Sequence, residues 1–133
     1  MESSERKVRS YRYLVVWQKA VELVTEVYTA TSDFPRLEGF GLTSQMRRCA
    51  VSVPSNIAEG QGRATKGQFI QFLSRARGSL FELETQLCIA GKLGYRSSER
   101  AEGLGVHAEE VGRILNGLVT SLGAGARRLS TNH

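Results

Sequence analysis

The sequence predicts an all-α fold, an up-down-up-down antiparallel four-helix bundle. Three observations carry that expectation. Apolar residues recur at helical spacing in four separate stretches, short turn-rich segments join the stretches, and no stretch alternates polar and apolar residues as a strand would. With 133 residues the chain fits one domain with a modest core. The bundle is expected over residues 13–128, between flexible ends at 1–12 and 129–133.

The first helical pattern runs from about 14 to 32. Trp17, Ala20, Val21, Val24, Val27 and Tyr28 form its apolar face. Pro35 stops it, because the residue before a proline is pushed out of the α region. The following DFPRLEGFG, with one proline and two glycines, reads as an ordered turn.

The second pattern runs from about 42 to 59, with Leu42, Met46, Cys49, Ala50, Val53 and Ile57 on one stripe. Pro54 lies inside it. The ring removes the hydrogen bond to the carbonyl of Ala50, so a bend at Pro54, or a split into two short helices, is expected. Ser52 and Ser55 flank that position, and Gly60 and Gly62 end the helix.

In the third pattern, Thr65 and Gln68 read as a capping box. Phe69, Leu73, Ala76, Leu80, Leu83, Leu87 and Ala90 then alternate steps of four and three, a heptad seam. Gly94 closes it at the position where a left-handed residue is favoured. The fourth pattern, from about 98 to 128, repeats the alternation at Leu104, Ala108, Val111, Leu115, Leu118 and Leu122. It also holds Gly103, Gly105, Gly112, Gly117, Gly123 and Gly125. Each interior glycine costs roughly 1 kcal/mol against alanine, so packing must hold this helix, and small residues allow another helix to approach closely.

The chain carries 18 basic and 13 acidic side chains. Residues 1–35 and 79–133 are each balanced. Residues 36–78 hold Arg36, Arg47, Arg48, Arg63, Lys66, Arg75 and Arg77 against only Glu38 and Glu59, so the whole excess of +5 sits there. A localised excess suits an anionic polymer or a charge-complementary protein face. Arg47, Arg48, Arg63, Lys66, Arg75 and Arg77 are therefore the candidate nucleic-acid contacts. The same residues also fit pairing with acids of a neighbouring copy, or plain solvation. No aromatic residues interleave with them on an exposed face, so phosphate or RNA-shape contact is expected rather than base stacking.

Catalytic and metal chemistry find little footing. His107 neighbours Glu109 and Glu110, but no second histidine or cysteine completes a ligand set, and His107 reads as a solvated residue. Glu82 and Glu84 are two apart on a helix and point in different directions. A di-iron bundle needs Glu-x-x-His motifs, which are absent. The glycines of GQGR do not follow a strand, so they do not form a phosphate-cradling loop. Cys49 and Cys88 read as reduced structural thiols. No cofactor, metal or enzymatic activity is expected. No apolar run approaches the ~20 residues of a membrane span, and MESSERKVRS lacks the apolar core of a secretory signal, so a cytoplasmic location is the expectation.

The segment GLTSQMRRCAVSVPSNIAEGQGRATKGQFIQFLSRARGSLFELETQL, with LVVWQKAVELVTEVY upstream, resembles a known family. These are the bacterial four-helix-bundle proteins first met as reading frames in intervening sequences of 23S ribosomal RNA genes. The likeness spans roughly residues 11–122. It rests on Trp17, Gln18, Lys19 and Ala20, on Leu42, Thr43, Ser44, Gln45, Arg47 and Arg48, and most specifically on Pro54, Ser55, Asn56, Ile57, Ala58, Glu59 and Gly60. Arg77, Gly78, Ser79, Glu82 and Gln86 continue it. The resemblance implies assembly into a ring, typically a homopentamer. It also implies kinship with the pentameric accessory proteins of diversity-generating retroelements, which bind nucleic acid and a reverse transcriptase through a basic surface. The family has no established enzymatic activity. Two departures stand out: Tyr13 replaces the aspartate that often caps the first helix, and helix four is unusually rich in glycine. Ser55, Asn56 and Glu59 are read first as structural groups, satisfying backbone at Pro54 or bridging to helix three, with direct binding as the alternative.

Overall fold

The computed structural model describes residues 10–95 and 98–131. Four helices fill it: α1 (Val15–Thr31), α2 (Leu42–Gln61), α3 (Lys66–Lys92) and α4 (Ser98–Thr131). Each packs against its neighbours in sequence, and α1 closes onto α4, while the diagonal pairs stay apart. Short connections make successive helices antiparallel, and the expected bundle results. No strand occurs among the described residues.

Heptad packing builds the core. Val16, Ala20, Leu23, Val27 and Ala30 of α1 face Met46, Ala50, Val53 and Ile57 of α2. Leu73, Ala76, Leu80, Leu83, Leu87 and Ala90 of α3 meet Leu104, Ala108, Val111 and Leu115 of α4. The seams expected for α3 and α4 are thus the buried ones, with Phe69, Leu118 and Leu122 at their half-buried edges.

The expected face of α1 is rotated by about one position. Val16 and Leu23 are buried, whereas Trp17 and Val24 are only half-buried and Tyr28 is exposed. Apolar residues surround much of this helix, so periodicity alone leaves two adjacent stripes open. Side-group contacts decide between them. Trp17 packs edge-on against Tyr11, with ring centroids 5.3 Å apart, and Tyr28 turns its ring outward beneath Arg47.

The bundle boundaries also differ from those expected. Ser10–Tyr13 forms a 3-10 turn, fastened where Gln18 Nε2 donates to the Arg12 carbonyl at 2.8 Å. At the far end α4 continues to Thr131. The rest of the expected flexible ends, residues 1–9 and 132–133, lies outside the described residues. Consistent with Tyr13 in place of an aspartate, the first residue before α1, Leu14, offers no side-chain cap.

The helix ends of α3 follow their sequence signals. Thr65 Oγ1 accepts the Gln68 amide at 3.1 Å. At the other end Gly94 has φ +73°, its amide donates to Gly91, and the Tyr95 amide reaches back to Ala90 at 3.0 Å. This is a Schellman ending. α2 runs as one helix through Pro54, which is buried, so the alternative of two short helices does not occur.

Candidate nucleic-acid interface

The six candidate cations do not form one band. Arg47 lies on the side of α2 that meets α1. Its Nε donates to Thr31 Oγ1 at 2.9 Å, its Nη2 to the Tyr28 carbonyl at 3.3 Å, and its guanidinium stacks 4.5 Å from the Tyr28 ring centroid. A cation beside the last carbonyls of α1 complements the negative end of that helix. Arg47 thus fastens α2 to α1 from a half-buried position. Arg77 is likewise tied to a neighbouring helix, at the surface: its Nη1 donates to Asn116 Oδ1 of α4 at 3.0 Å, and its guanidinium lies 5.9 Å from the centroid of the exposed Phe81 ring. Both lie one helix position from an exposed arginine or a core residue, and the direction of the side chain decides their role.

Arg63 and Arg75 come together. Each guanidinium lies 4.6 Å from the centroid of the buried Phe72 ring, one from the end of α2 and one from α3. Arg63 is also paired with Glu59, one turn back, at 3.4 Å. Lys66, the exposed first residue of α3, adds a charge at the same end of the bundle. No acidic residue occupies the first turn of α3, so the positive end of that helix reinforces the cluster. Arg48 is exposed and stands apart. It precedes Arg63 by fifteen positions, roughly 22 Å along a helix axis at 1.5 Å per residue.

Gly60 makes the convergence on Phe72 possible. A Cβ placed there would lie 2.7 Å from Phe72 Cβ and 3.0 Å from Phe69 Cδ1. The end of α2 thus presses directly against α3. The rest of the motif is structural as well. Asn56 Nδ2 donates to the Ser52 carbonyl at 2.8 Å, two residues before Pro54, and Ser52 Oγ is hydrogen-bonded to Ser79 Oγ across to α3. Ser55 is exposed, and Glu59 pairs with Arg63 rather than bridging to helix three.

Arg48 itself borders a groove with Gln45, Cys49, Ser52, Ser79, Glu82 and Gln86. The Cys49 thiol donates to Glu82 Oε2 at 3.4 Å and accepts from Gln86 Nε2 at 3.5 Å. Burial pushes that thiol above its ordinary range, which keeps it protonated and poorly nucleophilic. Cys88 is exposed, where a structural thiol would be buried. His107 is not simply solvated either: its Nδ1 meets Glu26 Oε2 at 2.5 Å. Among the described residues no three His, Cys, Asp or Glu side chains gather as a metal ligand set. No described helix is long and apolar enough to cross a membrane.

Sequence reading passed over Glu38 and Tyr95, which pin the opposite end. Glu38 Oε1 accepts the Leu42 amide at 3.1 Å and Oε2 accepts the Tyr95 hydroxyl at 2.7 Å. These bonds hold the Glu38 carboxyl below the usual range and push the Tyr95 phenol up. Tyr95 in turn packs 5.4 Å from Phe34. The signal was faint: Glu38 lies four residues before the first amide it caps, outside the usual capping spacing.

A search of the curated proteins found no match. Among solved structures, a crystal structure of a protein of unknown function from the S23 ribosomal protein family of Bacteroides thetaiotaomicron is similar. It superposes with a TM-score of 0.72 at 22% identity, covering 79% of this chain and 98% of that one. At that identity the likeness speaks for the fold. The family model for the 23S rRNA-intervening sequence protein matches residues 12–117, which include α1 to α3, the Pro54–Gly60 motif and the Arg63–Phe72–Arg75 cluster. With most of its length matched, the chain belongs to the 23S rRNA-intervening sequence protein family.

Proposed function

We propose that this chain is a non-enzymatic, self-assembling protein that binds structured RNA or DNA through its phosphates, with Arg63, Lys66 and Arg75 as the principal binding residues and Arg48 as an outlying one. The convergence of Arg63 and Arg75 on one Phe72 ring carries this reading. With each guanidinium 4.6 Å from one centroid, the two charges lie at most twice that distance apart, within a Debye length of about 10 Å, so a phosphate near them is attracted by both. The family resemblance adds a ring of copies, typically a homopentamer, a cytoplasmic location, and a reverse transcriptase as protein partner.

A filter-binding titration against structured RNA at two salt concentrations tests it. Binding should be clear at low salt and fall steeply as salt rises. Replacing Arg63 and Arg75 by Glu should weaken binding and lower the salt slope by roughly one for each phosphate no longer neutralised, with the helical signal unchanged. No binding at low salt, or binding indifferent to salt, sinks the proposal. The second reading is a purely structural homo-oligomer. It draws on a separation of charge: the described side chains of residues 13–35 and 98–123 hold Lys19, Arg100 and Arg113 against Glu22, Glu26, Asp33, Glu99, Glu102, Glu109 and Glu110. The α1–α4 side is thus acidic where the α2–α3 side is basic.

A further inference from the structure

Leu37 and Phe40 are the most exposed large apolar side chains among the described residues, at 96% and 103% of full accessibility. Scattered exposed apolar residues are ordinary, but these two share one short loop that is rigidly built. The amides of Glu38, Gly39 and Gly41 all donate within the loop, at 2.9 to 3.0 Å. Glu38 then ties it to Leu42 and to Tyr95. A loop so fixed cannot fold its apolar tips back onto the core. Arg36 stands beside them, exposed, with no hydrogen-bond or ion-pair partner among the described residues.

The complementary surface is on the other side of the same end of the bundle. A groove between α1 and α4 is lined by Thr25, Glu26, Thr29, Ala30, Arg100 and Leu104. Ala30 and Leu104 give it an apolar floor; Arg100, paired with Asp33, and Glu26, paired with His107, line it, and the exposed Glu22, Glu99 and Glu102 on the same two helices leave the balance negative. We propose that Leu37 and Phe40 of one copy of this chain seat in the α1–α4 groove of a second copy, with Arg36 against its acidic rim.

Charge complementarity selects the occupant. The loop carries the exposed Arg36, and its one acid, Glu38, is consumed by Leu42 and Tyr95. Face-to-face pairing of two such loops sets like charges together, whereas loop to groove sets opposite charges together. Because knob and socket are different surfaces, each bound copy still offers its own free knob, and the contact is heterologous. Knob and socket lie at the same height along the bundle axis, since both belong to the end where α1 stops and α4 starts. This inference rests on the self-assembly part of the proposed function and is independent of nucleic-acid binding, whose cluster lies at the opposite end.

Disulfide trapping tests it in the full chain carrying Cys88→Ser. Phe40→Cys and Thr29→Cys proteins are oxidised separately and after mixing. A cross-linked dimer that forms only in the mixture is expected. Cross-linking of the Phe40→Cys protein with itself indicates a face-to-face contact and overturns the proposal, as does the absence of any cross-link. Light scattering supplies the second readout. The Leu37→Ser, Phe40→Ser double variant should scatter as a monomer with its helical signal unchanged, because neither side chain packs within its own copy, and its melting temperature should lose its dependence on protein concentration. An oligomer that survives this change overturns the assigned surface alone. A wild-type chain that is monomeric at high concentration overturns the surface and the self-assembly reading together.

Discussion

The α2–α3 seam and the α1–α4 seam hold the same bundle together by different means. Shape and short polar contacts join α2 to α3: Gly60 against Phe72, Ser52 to Ser79, Cys49 between Glu82 and Gln86. Along α1 and α4, exposed or half-exposed ion pairs line the outer edge: Lys19 with Glu110 at 3.1 Å, Glu26 with His107, and Asp33 with Arg100 at 3.2 Å. The first seam admits few substitutions because each contact is a close fit. In the second, water competes for every pair, and such pairs are worth little individually. The contrast shows that the side carrying the family motif is the one whose geometry is fixed.

The comparison breaks most readily in the core that both seams share. Leu83 is fully buried on α3. Leu83→Ala should cost about 2–5 kcal/mol, measured by urea unfolding. A loss below about 1 kcal/mol would show that the α3 seam does not carry the core. Gly60→Ala sharpens the contrast next. Alanine normally favours a helix interior by about 1 kcal/mol, yet here its methyl meets Phe72 Cβ, which is anchored near the α3 backbone and cannot swing away. Overpacking of this kind typically costs about 1–3 kcal/mol, so net destabilisation is expected. A stabilised variant would refute the tight approach of α2 to α3.

Arginines 47 and 48 are adjacent in sequence and opposite in expectation. Arg47→Ala removes a charged donor from the buried Thr31 hydroxyl and the Tyr28 carbonyl, at a cost of roughly 1.5–3 kcal/mol. Arg48→Ala should leave the melting temperature within a degree or two, since its side chain has no partner among the described residues. Equal effects would erase the distinction between fastener and surface charge.

These cases show what the sequence could carry. Seams on α3 and α4 were legible because polar residues fill the positions between the apolar ones, leaving one face to bury. α1 was legible as a helix but not as a face, because Val16, Trp17, Leu23 and Val24 offer two neighbouring stripes of similar width. The basic segment could be located by counting charges. Its division into Arg47 and Arg77, each bonded to a neighbouring helix, and Arg63 and Arg75, gathered on Phe72, depends on side-chain direction and on a ring that lies off the heptad seam. Charge counts hold no information on either. The 38–95 tie was out of reach for a further reason, since it joins residues far apart in sequence through a single hydroxyl.

That tie gives a pH dependence. The two hydrogen bonds to Glu38 favour its ionised form and lower its folded-state pKa. Its contribution is therefore present above the ordinary carboxylate pKa of about 4.3 and is lost as pH falls through the folded value. Wild-type stability should drop on acidification in that window. Glu38→Gln, which keeps an acceptor but cannot titrate, should show a shallower drop, followed by thermal melts between pH 6 and 3. Parallel curves would mean that Glu38 contributes nothing to acid sensitivity.

The smallest effects belong to the α1–α4 edge. Lys19 and Glu110 are each about a third exposed or more, so solvent screens their attraction, and holding two long side chains in one arrangement costs entropy. Lys19→Ala should shift stability by less than about 1 kcal/mol, and the shift should shrink further in 1 M salt. Asp33→Ala, at the more exposed pair, should be smaller still. A loss comparable to that of Gly60→Ala from either change would mean that the ion pairs, and not packing, close α1 onto α4. That outcome would also weaken the docking proposal, because an acidic edge committed to holding its own bundle has little charge left to offer a neighbouring copy.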